Sequence, residues 1–153
     1  MYQRREPSTR MVRQELPTSC GAACVRQILL DAGIDVPEAV LREAAGYDAA
    51  FGITLDGLRD AFAAHHPGAT YQHGTVWPEH LDGLASAVPF IVLLRTPSRH
   101  FVIIDEVGPA EVHVRDPAGA DEDPSAGAVA VMDRGVFLER WKQARHGVIF
   151  RCE

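Results

Sequence analysis

The sequence predicts an α+β domain in which helices come first and an antiparallel β-sheet follows. Helix patterns dominate residues 21–65, whereas apolar segments with strand character dominate residues 89–116. Turn signals separate these later segments, as they do in antiparallel hairpins. Neither half is long enough for a core of its own, so we expect one domain over residues 14–153.

Residues 1–13 precede this domain as a basic lead-in. They include several arginines and a proline but no apolar period, so we expect a flexible segment. The lead-in also lacks the apolar stretch and small-residue cleavage site of a secretion signal. No apolar run approaches the ~18 residues that a membrane-spanning helix needs.

The predicted helices begin and end at recognisable residues. The first covers "GAACVRQILLDAG", with Gly33 where a helix commonly ends. The second covers "DVPEAVLREAAG", in which Asp35 and Glu38 have the spacing of a capping box. The third, "TLDGLRDAFAAH", has Thr54 as its N-cap, and a shorter helix is predicted in "WPEHLDGLAS".

The predicted sheet is built from short segments in the second half of the chain. Three strands lie in "PFIVLLR", "HFVIIDEV" and "EVHVRD", separated by the turn residues "TPSR" and "GPA". The exposed loop "ADEDPSAGA" follows and is a candidate rim for a substrate or partner. We then expect a strand in "AVAVM", a helix in "DRGVFLERWKQA" and a closing strand in "GVIFR".

Composition limits the classes of function. The chain has 153 residues, of which 46% are hydrophobic, and this suffices for a packed core. Its net charge of −6 argues against binding nucleic acid or an anionic membrane, because such binders carry basic patches. Three cysteines form no plausible disulfide framework in a chain of this length, so we expect a reducing compartment.

Cys20 stands at the predicted start of the first helix. The free N–H groups and positive dipole end of a helix favour a thiolate, the form in which cysteine is a nucleophile. Glycine beside it, Gly21, allows a substrate backbone to approach closely. Taken alone, the residue is more typical of a small buried hydrophobe, which is the usual role of a free cysteine.

A thiol nucleophile needs a base and a group that orients the base. His100 opens an apolar strand, and Asp116 ends the next strand just before Pro117. With a three-residue loop at 108–110, Val102 lies opposite Asp116, and His100 is its diagonal neighbour on the same face. A loop one residue longer or shorter would place the two side chains on opposite faces.

Gln14 completes the candidate site. Thioester chemistry passes through an oxyanion, which a side-chain amide and the backbone N–H of Cys20 can stabilise together. Ser19, Gly21, Arg99 and Phe101 flank the nucleophile and the base, so we include them as candidate substrate contacts. A solvated linker residue is the alternative for Gln14.

Zinc binding is a rival interpretation of the same cysteines. Cys20 and Cys24 are one helical turn apart, and His100 or His113 is available to complete a site. Structural zinc sites normally use two such pairs, and only one is present here. We therefore predict no metal or other cofactor, and assign Cys24 to the core.

The stretches "RQELPTSCGAAC", "SRHFVIIDEV" and "VRDP" resemble, in this order, the papain-like cysteine peptidases. They are similar to the bacteriocin-processing (double-glycine leader) branch and to the papain-fold toxin domains of bacterial polymorphic toxins. The resemblance implies a papain-like fold with Gln14 as oxyanion donor and Cys20 as nucleophile. It also implies His100 as base and acid, and Asp116 as its orienter. "CGAACV" departs from the plant and lysosomal signature, which has an aromatic residue after the second cysteine.

The resemblance further implies a thiol endopeptidase that cleaves a cytosolic protein, delivered into a target bacterium as a toxin domain and restrained by an immunity protein. Two enzymatic alternatives share the same residues, namely glutamine deamidation or acyl transfer, and processing of a bacteriocin leader. A non-enzymatic binding module is the third alternative.

Overall fold

The computed structural model describes residues 10–95, 98–119 and 126–152, and they form an α+β domain as predicted. Its helices are α1 Cys20–Asp31, α2 Glu38–Ala44, α3 Leu55–His65, α4 Leu81–Leu84 and α5 Arg134–Gln143, with 3₁₀ turns at Pro78–His80 and Ala85–Ala87. Its strands are β1 Thr70–Thr75, β2 Phe90–Arg95, β3 Arg99–Val107, β4 Glu111–Asp116, β5 Ala128–Asp133 and β6 Gly147–Cys152. None of the helices in these ranges is long and apolar enough to cross a membrane.

The six strands form one antiparallel sheet in the order β1-β6-β2-β3-β4-β5. Helices cover both of its faces. Ile91 and Leu93 of β2 pack into the core shared with α1, α2 and α3. Val92 and Leu94 pack on the other side, with Trp141 of α5. Burial on both faces explains why "PFIVLLR" is apolar without alternation.

Helix ends follow the sequence signals in two cases of three. Gly33 ends the α1 turn with a φ of 80°, and the Thr54 side chain accepts a hydrogen bond from Gly57 N. The predicted capping box of α2 is wrong, because Pro37 is the N-cap and Asp35 lies before it. Instead, Glu38 is fully buried and accepts hydrogen bonds from the loop that precedes α1.

Strand β1 was not predicted from the sequence. Its segment "TYQHGT" has one well-buried residue, Tyr71, and contains a glycine and a histidine. It lies at the edge of the sheet, where only one neighbour, β6, is available. An edge strand needs little apolar pattern, so its signal is weak.

Residues 10–13, expected to belong to the flexible lead-in, pack onto the domain. Met11 is buried, and its carbonyl accepts a hydrogen bond from Gly127 N. Val12 forms an isolated β-bridge with Ala126 and donates its N–H to Gln27 Oε1. The flexible expectation is therefore wrong for these four residues, while the domain boundary at residue 14 stays a prediction.

The β3–β4 hairpin has the predicted register near the site, although its turn differs from the prediction. Val107 pairs with Val112 rather than with Glu111, so the predicted three-residue loop is wrong by one position. A β-bulge at Asp105 removes this offset, and Ile103 lies opposite Arg115. Continued to the end of the strand, this is the register that sets Val102 opposite Asp116. The two deviations cancel before the site is reached.

Candidate active site

The N-terminus of α1 places a thiol at the seam between helix and sheet. Cys20 is the first residue of α1 and is 9% exposed. Its Sγ accepts a hydrogen bond of 3.4 Å from the backbone N–H of Phe101 in β3. The sulfur therefore faces the strand that carries His100.

His100 lies between the thiol and a carboxylate. Its Nε2 is 2.5 Å from Asp116 Oδ1, and that oxygen also accepts a hydrogen bond from Ala118 N. The His100 side chain also interacts with that of Cys20. With Nε2 engaged by Asp116, Nδ1 is the ring nitrogen available to the sulfur. The predicted Cys20, His100 and Asp116 thus converge.

The electrostatics of the three residues favour a charged imidazole. Burial lowers the pKa of His100, but the hydrogen bonds and charges of Asp116 and Cys20 outweigh it and raise that pKa to about 10. For Asp116, burial raises the pKa, and the hydrogen bond from His100 outweighs it and lowers the pKa below 3.8. Imidazolium and carboxylate therefore coexist at neutral pH.

The same pKa shifts define the pH range over which His100 and Asp116 stabilise the fold. The contribution of His100 is complete below its ordinary pKa of 6.5 and is lost as the pH rises through about 10. The contribution of Asp116 is present above 3.8 and is lost as the pH falls through its lowered pKa. The pair is therefore stabilising across the neutral range.

Gln14 lies beside the site but is engaged within its own loop. Its backbone N–H donates to Pro117 O at 2.8 Å, directly after Asp116. Its Nε2 donates to Leu16 O at 2.9 Å and to Pro17 O at 3.0 Å, while its Oε1 is buried and has no hydrogen-bond partner among the described residues. Both amide protons are thus occupied, and the role of Gln14 as oxyanion donor stays a prediction.

The loop before α1 is held by the buried carboxylate of Glu38. Its Oε1 accepts hydrogen bonds from Glu15 N at 3.0 Å and from Ser19 Oγ at 3.2 Å. Its Oε2 lies 3.1 Å from Arg42 Nε, as an ion pair outside hydrogen-bonding geometry. Burial raises the pKa of Glu38. Helix α2 thereby positions the loop that carries Gln14 and leads into Cys20.

Replacing Glu38 with alanine is expected to lower the free energy of unfolding by about 2 kcal/mol, because the buried Ser19 hydroxyl and the partly buried Glu15 N–H lose this acceptor. Urea denaturation would measure this loss. Glu43→Ala, which removes another carboxylate from α2, is the matched control and should change stability little. A Glu38→Ala protein as stable as the wild type would show that Glu38 does not stabilise the loop before α1.

Two of the candidate substrate contacts, Gly21 and Ser19, serve packing and hydrogen bonding within the fold. A Cβ on Gly21 would lie 3.0 Å from Leu58 Cδ2 and 3.1 Å from Phe101 Cδ2, so this glycine permits close packing of α1 rather than access for a substrate. Ser19 is fully buried, and its Oγ accepts a hydrogen bond from Leu16 N. The expectation of substrate contact is therefore corrected for Gly21 and Ser19.

Arg99 and Phe101 do line an open cleft of about 410 Å³ that includes Cys20 and His100. We call this the active-site cleft. Its lining residues are Pro17, Thr18, Cys20, Ala50, Phe51, Gly52, Ile53, Leu93, Arg95, Ser98, Arg99, His100 and Phe101.

Residues 50–53 form a wall of this cleft that was not predicted from the sequence. Phe51 is 75% exposed, although it is a large aromatic residue. Asp48 Oδ1 accepts hydrogen bonds from Ala50 N and Phe51 N, both 2.9 Å. Thr18 Oγ1 donates to Ala49 O and so ties the wall to the loop before Cys20. An isolated aromatic next to a glycine gives no sequence signal for such a position.

The described ranges contain no group of three histidine, cysteine, aspartate or glutamate side chains that could bind a metal ion together. Cys24 is fully buried in the core, as predicted, and its Sγ donates to Phe101 O at 3.5 Å. Burial raises the pKa of the Cys24 thiol well above its ordinary value. The loop residues 120–125, expected at the rim of the site, lie outside the described ranges.

A cysteine at a helix start, facing a histidine and an aspartate on an antiparallel sheet, defines a papain-like cysteine peptidase. The model of the Peptidase C39 family matches residues 8–144, and the chain belongs to this family. A search of curated proteins found no match.

Solved structures share the fold over nearly the whole chain. The peptidase domain of Streptococcus ComA, a bi-functional ABC transporter involved in quorum sensing, has a TM-score of 0.77 at 22% identity, covering 95% of this chain and 98% of that one. A double glycine motif protease from an AMS/PCAT transporter, in complex with the leader peptide, has 0.71 at 18%, covering 94% and 91%. The peptidase domain of Streptococcus mutans ComA has 0.67 at 21%, covering 94% and 99%.

Proposed function

We propose that this peptidase cleaves peptide bonds with Cys20 as nucleophile, His100 as proton carrier and Asp116 as orienter. The observation that supports this most is that His100 is hydrogen-bonded to Asp116 and, like Cys20, lines the active-site cleft. An imidazolium beside the sulfur stabilises the thiolate, and the positive end of α1 adds to the effect.

The reaction proceeds in two balanced steps. The Cys20 thiolate attacks the peptide carbonyl carbon, the C–N bond breaks, and His100 gives its Nδ1 proton to the departing amine. Water then adds to the thioester and gives a proton back to His100. The C–S bond breaks, which releases a carboxylic acid and restores the thiolate.

Cys20 and Gln14 are the donors that we propose for the oxyanion of each step. The backbone N–H of Cys20 belongs to the first turn of α1, where N–H groups lack partners within the helix. Gln14 supplies the second donor by exchanging its hydrogen bond to Leu16 O or Pro17 O for one to the substrate. Its backbone hydrogen bond to Pro117, the residue after Asp116, supports this role.

The substrate class we propose is a leader peptide that ends in a double glycine. The support comes from the shared family and from a structural neighbour described as a double glycine motif protease with its leader peptide. Synthetic peptides with a central Gly-Gly, incubated with wild type and Cys20→Ala, test this by mass spectrometry. Cleavage after the second glycine by the wild type alone is expected. A mass increase of about one dalton in an uncut glutamine peptide would favour deamidation instead.

The toxin role is the second candidate and rests on the resemblance of the motifs. The structural neighbours named above are described as transporter peptidases rather than toxins. Expression of wild type and Cys20→Ala in the bacterial cytosol distinguishes the toxin role from leader-peptide processing. Equal growth would count against a toxin and its immunity protein.

Replacing Asp116 with asparagine is expected to lower kcat by about tenfold or more, because His100 loses its charged partner. The pKa of His100 should fall from about 10 towards 6.5, which moves the alkaline limb of the kcat/KM profile to lower pH. A pH profile of peptide hydrolysis measures both effects. Asp133→Asn is a control outside the cleft, and an unmoved alkaline limb in Asp116→Asn would contradict the assignment.

A further inference from the structure

Two arginines stand side by side in the lining of the active-site cleft. Arg95, the last residue of β2, lies directly opposite Arg99, the first residue of β3. Both are exposed, and both line the cleft together with Cys20 and His100. Like charges directly opposite in an antiparallel pair destabilise a sheet.

The described part of the chain provides no counter-charge for this pair. Neither guanidinium forms an ion pair or a side-chain hydrogen bond with a described residue. Arg95 also borders a surface depression with Asp133 and Glu139, but it is ion-paired with neither. The chain has a net charge of −6, whereas these two cations give this part of the cleft a local positive charge.

The cleft also has apolar lining residues. Phe51 is exposed there, with Ile53 and Leu93 also in the lining. Asp48 fixes the backbone of the wall formed by residues 50–53. An extended peptide in the cleft therefore meets both apolar side chains and two guanidinium groups.

We propose that Arg95 and Arg99 bind an acidic side chain of the peptide substrate close to the scissile bond. Guanidinium groups match carboxylate geometry, and a bound carboxylate removes the repulsion between the two arginines. The inference deepens the proposed function and rests on it for the identity of the ligand as a substrate. It assigns specificity to two residues, of which only Arg99 was a sequence candidate.

Binding is measured on the Cys20→Ala protein, so that turnover is not needed. The probes are fluorescein-labelled octapeptides with a central Gly-Gly, each made as a Glu and a Gln version at one flanking position. Fluorescence anisotropy should show one position at which the Glu peptide binds about fivefold tighter than its Gln counterpart, with the advantage decreasing as salt increases. Arg95→Gln/Arg99→Gln in the same background should reduce this ratio to about one.

The matched control is Arg59→Gln/Lys142→Gln, which removes the same charge from exposed positions outside the cleft. It should keep the preference for the Glu peptide. Equal binding of Glu and Gln peptides at every position, no binding of any Glu peptide, or a preference that survives in the Arg95→Gln/Arg99→Gln protein would overturn the inference.

Cleavage of the same peptides by the protein with Cys20 intact separates this inference from the proposed function. Acid-selective binding without cleavage would leave the arginine subsite standing and remove the peptidase assignment for these sequences. Cleavage with equal kcat/KM for Glu and Gln peptides would keep the peptidase and remove the subsite.

Discussion

Replacing Cys20 with alanine is expected to abolish peptide hydrolysis, with kcat/KM lowered by at least about 10³-fold. Among the described residues it is the only cysteine that lines the active-site cleft, and its Sγ faces Phe101 N and the His100 side chain. Alanine has no nucleophile, so the thioester cannot form. The fold should persist, because one small buried side chain replaces another.

Labelling with a thiol-reactive peptide electrophile gives the direct measurement. Wild type should be labelled at Cys20 and lose activity, while Cys20→Ala should remain unlabelled. Cys152→Ala is the matched control, since it removes a partly exposed thiol outside the cleft and should leave labelling and hydrolysis intact. Modification of Cys152 or Cys24 in place of Cys20 would remove the catalytic assignment.

Cys20, His100 and Asp116 could be predicted from the sequence because each lies near the end of a helix or strand that the sequence pattern indicates. Cys20 begins a helix, and His100 and Asp116 stand near the ends of adjacent strands. Their convergence depended on the strand register, which the sequence does not reveal. The turn is longer than assumed, and the bulge at Asp105 corrects the offset. The prediction of the register at the site was confirmed although its assumed loop was wrong.

The parts that sequence reasoning missed depend on contacts between distant segments. Glu38 has the spacing of a helix cap, yet its burial makes it an acceptor for Glu15 and Ser19 instead. Phe51 resembles a core residue by type, but a turn around Asp48 holds it in the cleft wall. Such outcomes are decided by tertiary packing, and local pattern contains no information about them.

Arg115 was also missed, and it ties together the three elements that carry the site. It is 1% exposed, and its guanidinium donates to both carboxylate oxygens of Asp105 and of Asp31 at 2.7–3.2 Å. Asp31 ends α1, Asp105 is the bulge of β3, and Arg115 lies in β4 next to Asp116. The same helix and two strands provide Cys20, His100 and Asp116. The ion cluster thus holds the elements in the register that the catalytic residues require.

Replacing Arg115 with alanine is therefore expected to lower the free energy of unfolding by about 3–5 kcal/mol, because two nearly buried carboxylates lose their shared cation. Urea denaturation measures this, and Arg59→Ala, which removes a half-exposed ion pair with Asp56, should cost less than about 1 kcal/mol. Arg115→Lys should fall between, since one ammonium cannot bind both carboxylates in the bidentate manner of a guanidinium. Electrophile labelling of Cys20 should slow in parallel. An Arg115→Ala protein with wild-type stability and labelling would show that the cluster does not hold α1 against β3 and β4.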